Sequence, residues 1–264
     1  MLSPAALKEM YDNCFVARKW VEMYYHTDSG FVNDSVMIQV QIFVDIFRSG
    51  KVKGDSLIAF TLGPTIHELL PVCEIFKEIT VSVLTDDGCE ELKKWVANDP
   101  GAIDWSSAVK MFCEHEGNGE KWMEKQEALR RAIKHILPSD LTKSNPFAPR
   151  CLQPVDCLYS VFSLGCLYLD KPAFLSALGN LSLLLKTEGY LLLVIVLDTT
   201  YFMVGKFKFP MLCTDEECVN EALCKTGYAI EKQVVIPRIQ ESLFDVTDFT
   251  SVMMVLARKV RNIQ

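Results

Sequence analysis

The sequence predicts an α/β protein with a mostly parallel sheet and helices on both faces, and three observations carry that prediction. The first fifty of its 264 residues follow helical spacing. From Gly54 onward, short apolar runs alternate with amphipathic segments, the pattern of strands joined by helical crossovers. One run, Tyr190–Leu197, is continuously apolar, as expected of a strand buried on both faces. Strands separated by helices call for parallel neighbours with right-handed crossovers, and ligands then bind at the carboxyl ends of the strands. The expected organisation is a single domain over residues 1–264, with 1–50 as a helical cap and 51–264 as the α/β core.

In the cap, Phe15, Lys19, Glu22 and Tyr25, then Met37, Val40, Val44 and Phe47, recur at three- and four-residue intervals. Gly30 and the Asn33-Asp34 pair break the cap into two helical segments. Ser56–Phe60 reads as the first strand, and Gly63-Pro64 is expected to open a helix running to about Glu74. Glu78–Leu84 is β-branched and alternating, hence a second strand. Asp86-Asp87 starts a helix through Trp95, with acids suited to its positive end. Lys121–Ile136 reads as helix and Asp156–Val161 as strand. Asp170 caps a helix that carries Pro172 in its first turn and an apolar face of Phe174, Leu178, Leu181 and Leu185. Thr187-Glu188-Gly189 is expected to stop it before the Tyr190–Leu197 strand. A helix near Asp215–Lys225 and strands around Ile230–Ile236 and Phe249–Ala257 close the chain.

Composition excludes several function classes. A formal net charge of -7 argues against a nucleic-acid surface, which needs clustered cations. Met1–Asp12 mixes apolar and charged residues, without the apolar stretch that export requires, and no run nears the ~20 residues that span a bilayer. A cytoplasmic protein is expected, with no membrane partner, and the sequons at Asn33 and Asn180 then mean little. Ten cysteines include no C-x-x-C pair, and only four histidines are present to complete a zinc site. No metal is expected, and the thiols read as small core hydrophobes. Dinucleotide and nucleophile motifs, G-x-G-x-x-G and G-x-S-x-G, are absent.

A collinear set of short motifs points further. Val52-Lys53-Gly54-Asp55, Leu57-Ile58 and Gly63-Pro64-Thr65-Ile66 are followed by Phe76-Lys77-Glu78-Ile79 and Glu91-Leu92-Lys93-Lys94-Trp95. Asp104-Trp105, Glu116-Gly117-Asn118, Asp156-Cys157, Asn180-Leu181 and Val255-Leu256-Ala257-Arg258-Lys259 complete it, with Tyr11, Phe15, Arg18 and Tyr24-Tyr25 near the start. Together they resemble the nicotinamide, phenylethanolamine and indolethylamine N-methyltransferases over essentially the whole chain. The resemblance implies the class I methyltransferase fold, Rossmann-like, with an N-terminal helical lid. It also implies S-adenosylmethionine as cofactor, an amine or pyridine nitrogen as acceptor, and a monomer. Catalysis in such a family rests on proximity and orientation of donor and acceptor.

The resemblance also places a site. The family's loop pattern, Asp-Ile-Gly-Ser-Gly-Pro-Thr, stands here as Ala59-Phe60-Thr61-Leu62-Gly63-Pro64-Thr65. Thr61 replaces a glycine, and its branched Cβ resists both close approach and positive φ. The acid expected to accept the ribose hydroxyls is Val83. Asp86 lies about 10 Å further along an extended chain, so Asp86 and Asp87 read as solvated helix charges. Expected cofactor contacts are Trp20, Tyr25, Thr61, Gly63, His67 (a family Tyr), Asp140 and Leu141; Gly88 stands for Asn and Val161 for Thr. Expected acceptor contacts are Tyr11, Asp198 and Thr199, while Ile195 replaces an acid and Phe202 a Tyr. No catalytic residue is assigned. The expectation is a family member with weakened or lost activity; the alternatives are a working enzyme and an inactive pseudoenzyme serving as a binding or scaffold protein.

Overall fold

In the computed structural model, residues 2–25, 34–238 and 245–262 are described, with side chains from 38 onward in the second stretch. The cap comprises α1 (Pro4–Cys14), α2 (Ala17–Tyr25) and α3 (Asp34–Arg48). Ser3 caps α1 by accepting from the Ala6 amide, and Pro4 opens its first turn. A break at Phe15-Val16 separates α1 from α2, so the first helical segment of the sequence is two helices. The breakers Gly30 and Asn33 lie outside the described residues, as does the Met37 side chain.

The sheet contains β1 (Ser56–Thr61), β2 (Glu78–Val83), β3 (Ile133–Pro138), β4 (Val155–Val161), β5 (Leu185–Leu197), β8 (Tyr228–Pro237) and β9 (Ser251–Lys259). Their spatial order is β3-β2-β1-β4-β5-β9-β8. The first five run parallel, while β9 is antiparallel to both β5 and β8. β5 lies between β4 and β9, and Leu191 to Ile195 are all buried, as the apolar run predicted. A hairpin of β6 (Tyr201–Val204) and β7 (Phe207–Pro210) stands apart from the sheet; the sequence reading contained neither strand.

Side-chain caps start the crossover helices. Thr85 caps α4 (Asp86–Val96), Asp170 caps α7 (Lys171–Ser182) and Asp215 caps α8 (Glu216–Lys225). The remaining helices are α5 (Ser106–His115), which the sequence reading lacked, and α6 (Trp122–Ala132).

Three sequence expectations are corrected. No α-helix follows Gly63-Pro64. A 3-10 turn at His67–Leu69 leads into further turns, because Pro71 lacks an amide hydrogen and its ring clashes with the carbonyl four residues back. Helix does not continue to Ile136 either. α6 ends at Ala132, and Ile133–Pro138 pairs with β2 as the sheet edge, tertiary pairing overriding local propensity. Finally, α7 stops at Ser182, and Leu185 to Gly189 already belong to β5.

Candidate cofactor cleft

Register brings three strand ends and a residue of β5, which runs three residues further to Leu197, into one row. Thr61 pairs with both Val83 and Val161, and Val161 pairs with Val194. All four are buried. Thr61 is the last residue of an extended strand and has no positive φ, so its branched Cβ suits its place. The conformational objection to threonine there does not apply; what changes is the surface it presents. Its hydroxyl, like that of Ser82, is buried without a hydrogen-bond partner among the described residues.

Gly63 likewise needs no left-handed backbone; it needs room. A Cβ at this position would lie 2.3 Å from Cε3 and Cζ3 of Trp20. The indole of α2 therefore rests directly on the loop that follows β1. A second glycine is packed as closely: a Cβ on Gly88 would lie 2.5 Å from Cγ1 of Val83. The valine at the end of β2 and the glycine in the first turn of α4 are thus complementary, and an asparagine at 88 alone would not fit this packing.

Aromatic contacts extend from the indole. Trp20 lies 6.0 Å from Phe15, 5.1 Å from Tyr25 and 5.9 Å from Tyr24, centroid to centroid. Tyr25 continues to His67 at 4.9 Å and Trp105 at 6.0 Å. Trp20, Tyr25, His67 and Trp105 are all buried. Below them sits Glu68, fully inside, accepting a hydrogen bond from the Thr65 hydroxyl, with His67 Nε2 3.5 Å from its carboxylate. Burial, opposed by the Thr65 bond, pushes the Glu68 carboxyl up to about 7, and burial pulls His67 down to about 3.

The other expected residues have hydrogen-bond or packing partners of their own. Asp140 folds back on its own turn, accepting from the Thr142 amide at 3.1 Å and pairing with Lys143 at 3.2 Å. Leu141 is buried, and its carbonyl accepts from the Tyr168 hydroxyl. Asp198 accepts from the Thr250 hydroxyl at 2.8 Å with a positive φ of 52°, which aspartate tolerates better than most residues. Thr199 is buried and donates to Asp248 at 2.9 Å; Asp248 also accepts from the Thr200 amide at 2.8 Å, fastening the β5–β6 connection. Tyr11 is enclosed by Phe15, Phe202 and Phe209, the last at 4.8 Å. Ile195 and Phe202 are buried apolar residues. Asp87 is not a free helix charge: it accepts from the Ala17 amide at 2.7 Å.

Sequence reasoning missed Glu68 and Asp248 as parts of this region, quoted Trp105 only within a family motif, and read Asp87 as a solvated charge. Glu68 alone had a local signal, an acid beside an apolar loop; the others are joined to it only by long-range contacts. A cleft of about 890 Å³ opens at the opposite, amino-terminal ends of the strands, lined by Ser56, Glu78, His135 and Lys186 among others. Among the described residues, no three His, Cys, Asp or Glu side chains are grouped to hold a metal ion, and no helix is long and apolar enough to cross a membrane.

The NNMT/PNMT/TEMT family model matches residues 3–260. The chain belongs to that family. It is 41% identical to the nicotinamide N-methyltransferase of Sus scrofa over 237 residues, covering 89% of this chain and 90% of that one. It is 37% identical to the indolethylamine N-methyltransferase of Oryctolagus cuniculus over 230 residues, covering 86% and 88%. Among solved structures, the magnesium protoporphyrin IX methyltransferase of Synechocystis with bound SAH superposes with a TM-score of 0.59 at 12% identity, covering 97% of this chain and 99% of that one. The fold is thus the class I, Rossmann-like methyltransferase fold, and the family is one of S-adenosylmethionine-dependent N-methyltransferases.

Tested against that cofactor, the strand ends do not fit it well. A ribose diol needs an acceptor at the end of β2, and the residue there is a buried valine packed on Gly88. In the loop after β1, which a nucleoside would approach, the Cβ side of Gly63 is already covered by Trp20.

Proposed function

We propose that this protein is a family member in which methyl transfer to an amine or pyridine nitrogen is weakened or lost. The observation that carries the proposal is the filled row of strand ends: Thr61, Val83 and Val161 buried side by side, with Trp20 seated on Gly63. Each missing polar contact to a nucleoside would cost about 1–3 kcal/mol of binding, so two or three lower affinity by several factors of ten.

Any remaining cofactor contact falls to Trp20, Tyr25, Thr61, Gly63, His67, Asp140 and Leu141, and any acceptor contact to Tyr11, Asp198 and Thr199. Residues 1–50 act as a cap on a core of 51–264 in a single domain. The protein works as a cytoplasmic monomer that does not bind nucleic acid, consistent with its charge of -7. Calorimetric titration with S-adenosylmethionine and S-adenosylhomocysteine, checked by thermal shift, tests the proposal. A ligand at about 100 times its dissociation constant adds roughly 2.7 kcal/mol of stability. No heat and no shift at millimolar ligand is the expected result; micromolar binding with methylation of a pyridine or aromatic amine would refute it.

A further inference from the structure

We propose that α2 is an intramolecular plug: Trp20 occupies the ligand-facing surface of Gly63, and Asp87 and Glu91 on α4 latch it there. The inference deepens the preceding reading, because it adds a reversible barrier to contacts that are permanently gone.

The plug is defined by contact. With the ideal Cβ position of Gly63 only 2.3 Å from two indole carbons, nothing can lie against that side of Gly63 until Trp20 moves. Phe15, Tyr24 and Tyr25 hold the indole from the sides.

The latches are polar and lie outside the sheet. Asp87 accepts from the amide of Ala17, the first residue of α2, at 2.7 Å. That amide has no partner within its own helix, and a carboxylate there also meets the positive end of the helix dipole. One residue on, the Arg18 guanidinium pairs with Glu91 at 2.6 Å and donates to the Gly101 carbonyl. The Glu91 carboxylate is almost wholly covered and also pairs with Lys94 at 2.7 Å, so its position on α4 is fixed. At the other end of α2, the Tyr24 hydroxyl donates to the Met203 carbonyl of the hairpin at 3.0 Å. These bonds run to α4, to the loop after it and to the hairpin rather than to the strands of the main sheet, so α2 can lift without unpairing that sheet. Asp87 stands too far along the chain to serve a ribose, and instead it holds the cleft closed.

A closed plug reduces apparent affinity by the fraction of molecules in which it is open. Weakening the latches should raise that fraction, and with it the affinity for a nucleoside ligand. Asp87→Ala and Arg18→Ala suit the test, since both side chains are exposed at the α2–α4 seam. Amide hydrogen exchange is measured for residues 17–25 and for β4 and β5 in the wild type, each single variant and the double variant. Each protein is then titrated calorimetrically with S-adenosylhomocysteine.

In the double variant, α2 amides should exchange about tenfold faster with strand amides unchanged, and S-adenosylhomocysteine at millimolar concentration should give a binding isotherm where the wild type gives no heat. Unchanged α2 exchange overturns the latches. Faster α2 exchange without tighter binding overturns the plug, while the reading of lost contacts stands. Micromolar binding by the wild type sinks that reading instead, and the comparison of wild type with double variant still decides the plug.

Discussion

Glu68 lies in the 3-10 turn behind the β1 loop, buried with His67, and the two respond to pH in opposite directions. Burial raises the Glu68 carboxyl from its ordinary 4.5 to about 7. Below pH 4.5 the group is protonated in both folded and unfolded chains and costs nothing. Between pH 4.5 and about 7 the unfolded chain ionises it freely while the folded chain keeps it protonated, and above about 7 the folded chain carries the charge inside. At about 1.4 kcal/mol per pH unit, the climb from 4.5 to about 7 removes roughly 3 kcal/mol of stability. His67 works the other way. Its folded-state pKa is depressed from 6.5 to about 3, so its contribution is present above 6.5 and lost as pH falls towards 3. Between pH 4.5 and 6.5 the two slopes oppose each other, and wild-type stability should be nearly flat in their shared range. Glu68→Gln removes one slope and keeps an acceptor for the Thr65 hydroxyl. Urea unfolding followed by circular dichroism from pH 4.5 to 8 is the assay. The variant should match the wild type at pH 4.5 and exceed it by roughly 3 kcal/mol at pH 8. Parallel stability curves for the two proteins would refute the reasoning.

Three further outcomes are expected. Thr61→Val replaces a buried hydroxyl that lacks a partner with a methyl of the same shape, and should raise stability by about 1 kcal/mol in thermal melts; a loss of that size would mean the hydroxyl is satisfied. Gly63→Ala drives a methyl into the Trp20 ring, so stability should fall by about 1–3 kcal/mol and tryptophan emission shift to the red, with unchanged emission counting against the contact. Asp156 accepts from the amides of Asp55 and Ser56 and the Ser56 hydroxyl at 3.0–3.1 Å, and pairs with Lys186 at 2.6 Å. Burial pushes its carboxyl up, but Lys186 and these donors outweigh burial and hold it at about 2. Asp156→Ala should cost about 2–3 kcal/mol at pH 7, and the difference should shrink in urea titrations as pH falls below 3.8 towards 2.

The sheet was largely legible because its signals are local. β1, β2, β4 and β5 were readable from apolar runs, α7 from its cap Asp170 and α4 from the acids in its first turn, signals that act within three positions of themselves. The elements that were misread depend on partners far along the chain. β3 is a strand because β2 offers it an edge, although Lys121 to Ile136 has helical propensity throughout. The hairpin of β6 and β7 is short and has no separate periodicity. Pro71 is the exception, a local signal against helix after Gly63-Pro64 that the expected element ignored.

The candidate cleft divides in the same way. Which residues stand at the strand ends, Thr61, Gly63 and Val83, was readable in the sequence, since spacing within a β-α unit is set by chain connectivity. What those residues do was decided only by tertiary contacts. Nothing in the order of residues reveals that Gly63 lies beneath Trp20, that Gly88 is a glycine because Val83 fills its space, or that Asp87 reaches an amide 70 residues away. Strand periodicity and caps express interactions between near neighbours, which the chain itself brings together. Packing against a loop and capping of a distant helix express free energy shared between segments that meet only once the sheet has formed.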